Sequence, residues 1–163
     1  VSKQSSLTFE RLKQVVHYDP DTGVLRRLGT RMGPVPQPKK ENRYVPFIVD
    51  GVSYQTHRLA WLYMTGEWPP TLIDHRDMDR RNNRWSNLRL ATKSQNGANG
   101  TKKKNNRSGF KGVFKETYTG KWKASITVNR RLISLGRYDC PAAAHFAVIV
   151  GSEKHFGEFA RAA

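Results

Sequence analysis

The stretch Leu72-Ile73-Asp74-His75-Arg76-Asp77, continued by Asn82-Asn83, by Asn87-Leu88-Arg89-Leu90-Ala91 and by Thr92 through Gln95-Asn96, decides how the chain is read. Leu72 to His75 predicts a short strand, and a polar loop runs from there to Asn87. Leu88 to Ala91 predicts a returning strand. Thr92 is a good N-cap for a short helix that carries Gln95 and Asn96. An isolated Asp-His pair is ordinarily a surface turn. This pair differs because an ordered series of asparagines follows it.

Upstream, Leu7 to Val16 predicts a short amphipathic helix, stopped by the turn cluster Asp19-Pro20-Asp21-Thr22-Gly23. Pro34 to Lys40 predicts an extended loop, since proline cannot feed a central ladder. Asp50-Gly51 between Tyr44–Val49 and Val52–Thr56 is a strong hairpin signal. His57 to Thr65 then predicts a helix ended by Gly66 and Trp68-Pro69-Pro70. His57, at that helix start beside Arg58, is assigned to capping or loop bracing rather than to catalysis. Trp61, Trp68 and Trp85 are assigned to the core or a lid, and His17, His145 and His155 have no partners at ligand spacing.

Downstream, residues 100–107 are rich in Gly, Asn and Lys and predict a basic linker able to lie along a phosphate backbone. Gly112–Lys115, Lys121–Asn129 and Arg131–Arg137 predict three antiparallel strands. Trp122, Ala124, Ile126 and Val128 alternate with Lys123, Ser125, Thr127 and Asn129, so one face is apolar and the other polar and basic. Pro141 opens a helix over Ala142–His155, apolar enough to cover the inner face.

The charge is concentrated. The net formal charge is +16, and Arg80 to Arg137 alone hold 16 Lys and Arg against one acid, Glu116. Phe110, Phe114, Tyr118 and Trp122 interleave with these bases, which suits a folded nucleic-acid surface better than a floppy tail. A 37% hydrophobic content excludes a disordered polybasic chain. The single Cys140 excludes an internal disulfide framework and a Cys-based zinc site. No apolar run has the length of a membrane span, and the N-terminus lacks a signal-like apolar core. The expectation is a basic protein of a reducing compartment, partnered by double-stranded DNA and not by a membrane.

The Asp74-His75 to Asn96 series resembles the motif of the HNH endonucleases in their homing form, and His57-Arg58-Leu59-Ala60-Trp61 with Gly66-Glu67-Trp68-Pro69 resembles the lead-in of the phage-type branch. Asn96 stands where many members have a final histidine. The resemblance implies a ββα-metal nuclease domain over 1–99, with His75 as general base and Asn87 bracing the loop or orienting that base. It implies Asp74 and Asn96 as oxygen donors to Mg²⁺ (or Mn²⁺), with no zinc, since a hard ion prefers one or two protein oxygens and leaves room for water and phosphate. Adjacent residues of a regular strand point to opposite faces, so Asp74 and His75 are expected to converge only where the strand breaks.

Ser108-Gly109-Phe110-Lys111-Gly112-Val113, Lys121-Trp122-Lys123-Ala124 and Leu135-Gly136-Arg137-Tyr138-Asp139 resemble the AP2 DNA-binding domain, over 108–163. Phe114, Leu132 and Ser134 depart from its plant members, so their target preference does not transfer. The combined expectation is an α+β chain: an HNH nuclease that nicks DNA, a linker, and an AP2-like sheet backed by one helix that locates the site. The expected DNA contacts are Arg89, the linker's Lys102, Lys103, Lys104 and Arg107, then Lys111, Lys115, Lys121, Trp122, Lys123 and Arg130. The resemblance further implies a phage-encoded protein in a bacterial cytoplasm, acting as a monomer or weak dimer. The alternative of another class is a regulator that binds DNA without cutting it, against which the intact Asp74, His75 and Asn96 set argues.

Overall fold

The computed structural model describes residues 7–29, 43–102 and 104–161, so the proline-rich stretch Pro34–Lys40 and Lys103 lie outside the described residues. Thr8 caps helix α1 (Phe9–Val15) by accepting from the Arg11 amide, and the chain then turns directly into a hairpin of β1 (Val16–Asp19) and β2 (Val24–Arg27). These two strands were not expected from sequence. Their turn forms because Asp19 Oδ1 accepts from the Asp21 and Thr22 amides while Gly23 supplies a φ of +73°. A second hairpin, β3 (Pro46–Val49) and β4 (Val52–Gln55), closes at Asp50-Gly51, where both residues take positive φ. Helix α2 (Thr56–Thr65) follows, and Gly66 ends it in the left-handed conformation. Strand β5 (Leu72–His75) pairs with β6 (Leu88–Ala91) across the long polar loop.

Helix α3 (Lys93–Asn99) carries a full capping box: Thr92 accepts from the Gln95 amide, and the Gln95 side chain accepts from the Thr92 amide. Strands β7 (Val113–Lys115), β8 (Trp122–Val128) and β9 (Arg131–Tyr138) form an antiparallel sheet in that order, and α4 (Pro141–Phe156) packs on it with proline in its first turn. The β8–β9 turn at Asn129-Arg130 has positive φ at both residues, the geometry of a tight two-residue hairpin. The fold is therefore mixed α and β, with small sheets and, among the described residues, four α-helices.

The chain divides into two compact units, Val1–Leu90 and Ala91–Ala163. The first is built on Leu12, Val16, Tyr18, Phe47, Leu59 and Leu62, with Trp61, Trp68 and Trp85 packed against them. The second is built on Val113, Ala124, Ile126, Ala144 and Val148, closed by Phe156 and Phe159. The expected boundary after Asn99 falls nine residues later than this division. The reason is packing: Ala91 and Ala98 bury themselves in the second core, so α3 folds with the C-terminal sheet.

Candidate active site

His75 ends β5 in a buried position and is 4% exposed. Its Nε2 lies 3.2 Å from Asn83 Oδ1. The Asn83 amide nitrogen donates to the Arg81 carbonyl at 3.1 Å, which turns Oδ1 toward the imidazole. An amide oxygen can only accept, so His75 Nε2 must carry the proton and Nδ1 the basic lone pair. Burial pushes the His75 pKa below its ordinary 6.5, while Asn83 and the carboxylates of Asp77, Asp74 and Asp79 pull it partly back. At pH 7 the ring is neutral and its tautomer is set.

Asn83 is itself held from the N-terminal hairpin. Tyr18, buried in the first core, donates its hydroxyl to the Asn83 carbonyl at 2.7 Å, and the Trp85 amide donates to the Pro20 carbonyl at 2.9 Å. Gly23 lies so close that a Cβ there would clash with the Arg84 amide nitrogen. Its absent side chain lets the β1–β2 turn press against the loop that orients His75.

Two aromatic rings, His57 and Tyr44, flank the imidazole. The His57 ring meets it edge-on at 5.2 Å between centroids, and Tyr44 lies 4.8 Å from His57 with Arg80 over its ring. Burial first, then the nearby His75, Arg58 and Arg80, lower the His57 pKa to about 3, so it is a neutral wall at any working pH. The N-cap of α2 makes no side-chain cap hydrogen bond, so the bracing expected of His57 is ring packing, not capping. Asn83, quoted within the motif, was assigned no role from sequence. The signal available was a second asparagine eight residues after His75.

Asn87 ties the loop. Its Nδ2 donates to Asp77 Oδ1 at 2.9 Å and to the Asn82 carbonyl at 2.7 Å, while its Oδ1 accepts from the Asp77 amide at 3.1 Å. Asn82 adds a bond to Asp77 Oδ2 at 2.6 Å. The Asn87 carboxamide is thus spent on positioning both ends of the loop, not on a reacting atom.

Asp74 Oδ2 accepts from Arg89 Nε and Nη2, each at 2.9 Å, across the β5–β6 pair, and both side chains are buried. Arg89 was expected on DNA. It is instead the counter-ion of Asp74, because a carboxylate brought into the protein interior needs a charge-matched donor. Asn96 lies on α3 in the second unit, half-buried. Among the described residues no three His, Cys, Asp or Glu side chains gather as a cluster able to hold an ion. The donors the motif offers, a carboxylate and a carboxamide, are hard oxygens that suit Mg²⁺ or Mn²⁺, whereas a structural zinc takes nitrogen and sulfur.

Two further expected DNA contacts are also redirected. Lys111 Nζ donates to backbone carbonyls, among them Gly100 O at 2.6 Å, and burial lowers its pKa. Trp122 packs against the second core, since its place in the β8 alternation points it inward. Lys104, Arg107, Lys115, Lys121 and Arg130 are exposed, and Lys123 is half-buried over the Phe114 ring. Lys102 is exposed and donates to the Gly109 carbonyl at 2.8 Å. Glu116, the acid of the basic stretch, is paired with Arg137 at 2.8 Å, so its charge is answered within the sheet. No described helix is long and apolar enough to cross a membrane.

Residues 54–98 match the family model described as HNH endonuclease. The match runs from β4 through α3, and so occupies the middle of the chain rather than the whole of 1–99. No curated protein and no solved structure matches the chain. The segment that contains Asp74, His75, Asn83, Asn87 and Asn96 is, on this comparison, similar to the HNH endonucleases.

Proposed function

We propose that the chain is a metal-dependent DNA endonuclease of the HNH homing type. The observation that carries this reading is His75: a buried imidazole, kept neutral and held in one tautomer by Asn83, inside the HNH-matching segment. Neutral Nδ1 is suited to take a proton from the water that attacks the phosphodiester, and a positioned base of this kind contributes roughly 10²–10⁴-fold. Asp74 and Asn96 would hold a divalent ion, Mg²⁺ or Mn²⁺, that stabilises charge on the phosphoryl and leaving oxygens. Asn83, Asn87 and Asp77 keep the loop and the base in place, and His57 and Tyr44 keep one side of the imidazole dry.

The C-terminal sheet, read as AP2-like, and the basic linker supply affinity and site selection through Lys104, Arg107, Lys115, Lys121, Lys123 and Arg130. Neutralising phosphates releases condensed counter-ions, which favours binding at low salt. One such centre per chain makes a nick the product, in DNA of a phage-infected bacterial cytoplasm. The test is direct. Supercoiled plasmid incubated with the protein should become open-circular with Mg²⁺ and stay intact with EDTA. His75→Ala should cut roughly 10²–10⁴-fold more slowly while binding DNA as before. Cleavage by His75→Ala at the wild-type rate would remove this base from the reaction.

A further inference from the structure

Helix α3 has seven residues, too few to persist without support. Its first turn is closed by the Thr92–Gln95 capping box, but its last carbonyls need donors from elsewhere. Those donors come from Lys111. The ammonium donates to the carbonyls of Ala98 and Gly100, the latter at 2.6 Å, and reaches Gly97 O and Arg161 O at 3.3 Å each. A cation at a helix C-terminus also meets the negative end of the helix dipole.

Lys111 is anchored where it stands. The next residue, Gly112, has φ +74°, and a Cβ there would lie 2.6 Å from the Ser125 carbonyl. The Ser125 amide donates back to the Gly112 carbonyl at 2.9 Å, which holds this segment flat on β8. A second tie joins the other end of the helix to the sheet, since the Asn129 amide at the β8–β9 turn donates to Ser94 Oγ at 3.0 Å.

We propose that Lys111 is a positioning residue for the metal site. It clamps α3, and therefore Asn96, to the C-terminal sheet, so the sheet that engages DNA also sets the order of a metal-holding side chain. This rests on the reading of Asn96 as a metal donor given above. Lys111 in this role touches neither ion nor phosphate. Its loss acts on metal affinity, and supporting residues of metal ligands typically cost 10–100-fold when removed.

The experiment compares full-length wild type with Lys111→Met and Lys111→Arg. Lys111→Met should speed hydrogen exchange of the α3 amides while leaving β7 to β9 protected. It should raise the Mg²⁺ concentration for half-maximal plasmid nicking about tenfold, and Lys111→Arg should restore most of the shift. DNA binding in EDTA should keep its salt dependence, whereas loss of a phosphate contact would flatten the slope by about 0.9. Fold loss alone would lower the active fraction without moving the metal midpoint. If Lys111→Met does not fold, Ser94→Ala is read in the same way: an unchanged midpoint overturns the proposal and a raised one supports it. Unchanged α3 exchange or metal midpoint in folded Lys111→Met overturns the clamp alone. An inactive wild type with every divalent ion overturns the endonuclease reading, and the metal link with it.

Discussion

If Asn83 fixes the proton on His75 Nε2, changing Asn83 should move the acid limb of the pH–rate profile in a direction set by the replacement. Asn83→Asp puts a carboxylate where an amide oxygen sits 3.2 Å from the ring. An opposite charge at that distance stabilises imidazolium and raises a pKa by about 1–3 units. Asn83→Leu removes the hydrogen bond that now pulls the His75 pKa upward, so burial acts less opposed and the pKa falls further. Under the proposed mechanism cleavage requires the neutral ring, so rate is lost as pH falls through the His75 pKa. The wild-type limb lies below 6.5 because burial dominates. The Asp variant's limb moves up, and on its acid side each pH unit of upward movement lowers nicking at fixed pH about tenfold, so nicking there drops by about 10–10³-fold. The Leu variant's limb moves down. Both variants lose the Asn83 bond to the Arg81 carbonyl, so both have a lower plateau. Only the opposite movement of the limbs reports on the base. Single-turnover nicking of supercoiled plasmid from pH 5 to 9 measures it, and limbs that coincide with wild type, or shift together, would refute the tautomer argument.

His57 predicts a stability effect separable from catalysis. It stays neutral in the fold down to about pH 3 yet takes a proton near 6.5 when unfolded, so stability is full above 6.5 and declines as pH falls toward 3. His57→Phe keeps a ring in place and should remove about 2 kcal/mol of the loss between pH 7.5 and pH 5, measured by urea unfolding. Trp61, Trp68 and Trp85, packed on the first core, report that unfolding by fluorescence. Arg89→Ala leaves Asp74 buried without its counter-ion and should cost about 3–5 kcal/mol in the same assay, an outcome a surface DNA contact would not produce. Asp74→Ala should abolish detectable nicking, whereas Asn96→Ala should be partly restored by added Mg²⁺ or Mn²⁺; unchanged metal midpoints in both would refute the donor assignment.

The parts of the fold legible in the sequence are those governed by local chemistry. The Asp50-Gly51 turn, the Thr92 cap, the inward set of β8 and the proline-led helix α4 follow from backbone preferences and from two-residue alternation, which neighbouring residues carry. The β1–β2 hairpin was missed because its four-residue strands are too short for periodicity, and its register is set by Tyr18 and Leu25 reaching a shared core. For the site, residue types pointed to Asp74, His75 and Asn87. They did not reveal that Arg89 is committed to Asp74 or that Lys111 is committed to carbonyls, because a basic residue reads the same in sequence whether its charge faces solvent or a buried partner. Pairing of this kind is a long-range property.

The division of the motif between two compact units follows from the same physics. Asp74, His75, Asn83 and Asn87 belong to the unit cored by Leu12, Tyr18 and Leu59, whereas Asn96 belongs to the unit cored by Ala98, Val148 and Phe156. A seven-residue helix with one alanine and two glycine-flanked asparagines has little apolar surface of its own, so it folds where that alanine can be buried and its carbonyls answered. Ala98 meets the first need and Lys111 the second, both inside the C-terminal unit. The order of Asn96 is therefore tied to the packing of the sheet. Replacing the lysines proposed to contact DNA with neutral residues should weaken binding alone, while perturbing the core under α3 should reach the chemistry as well.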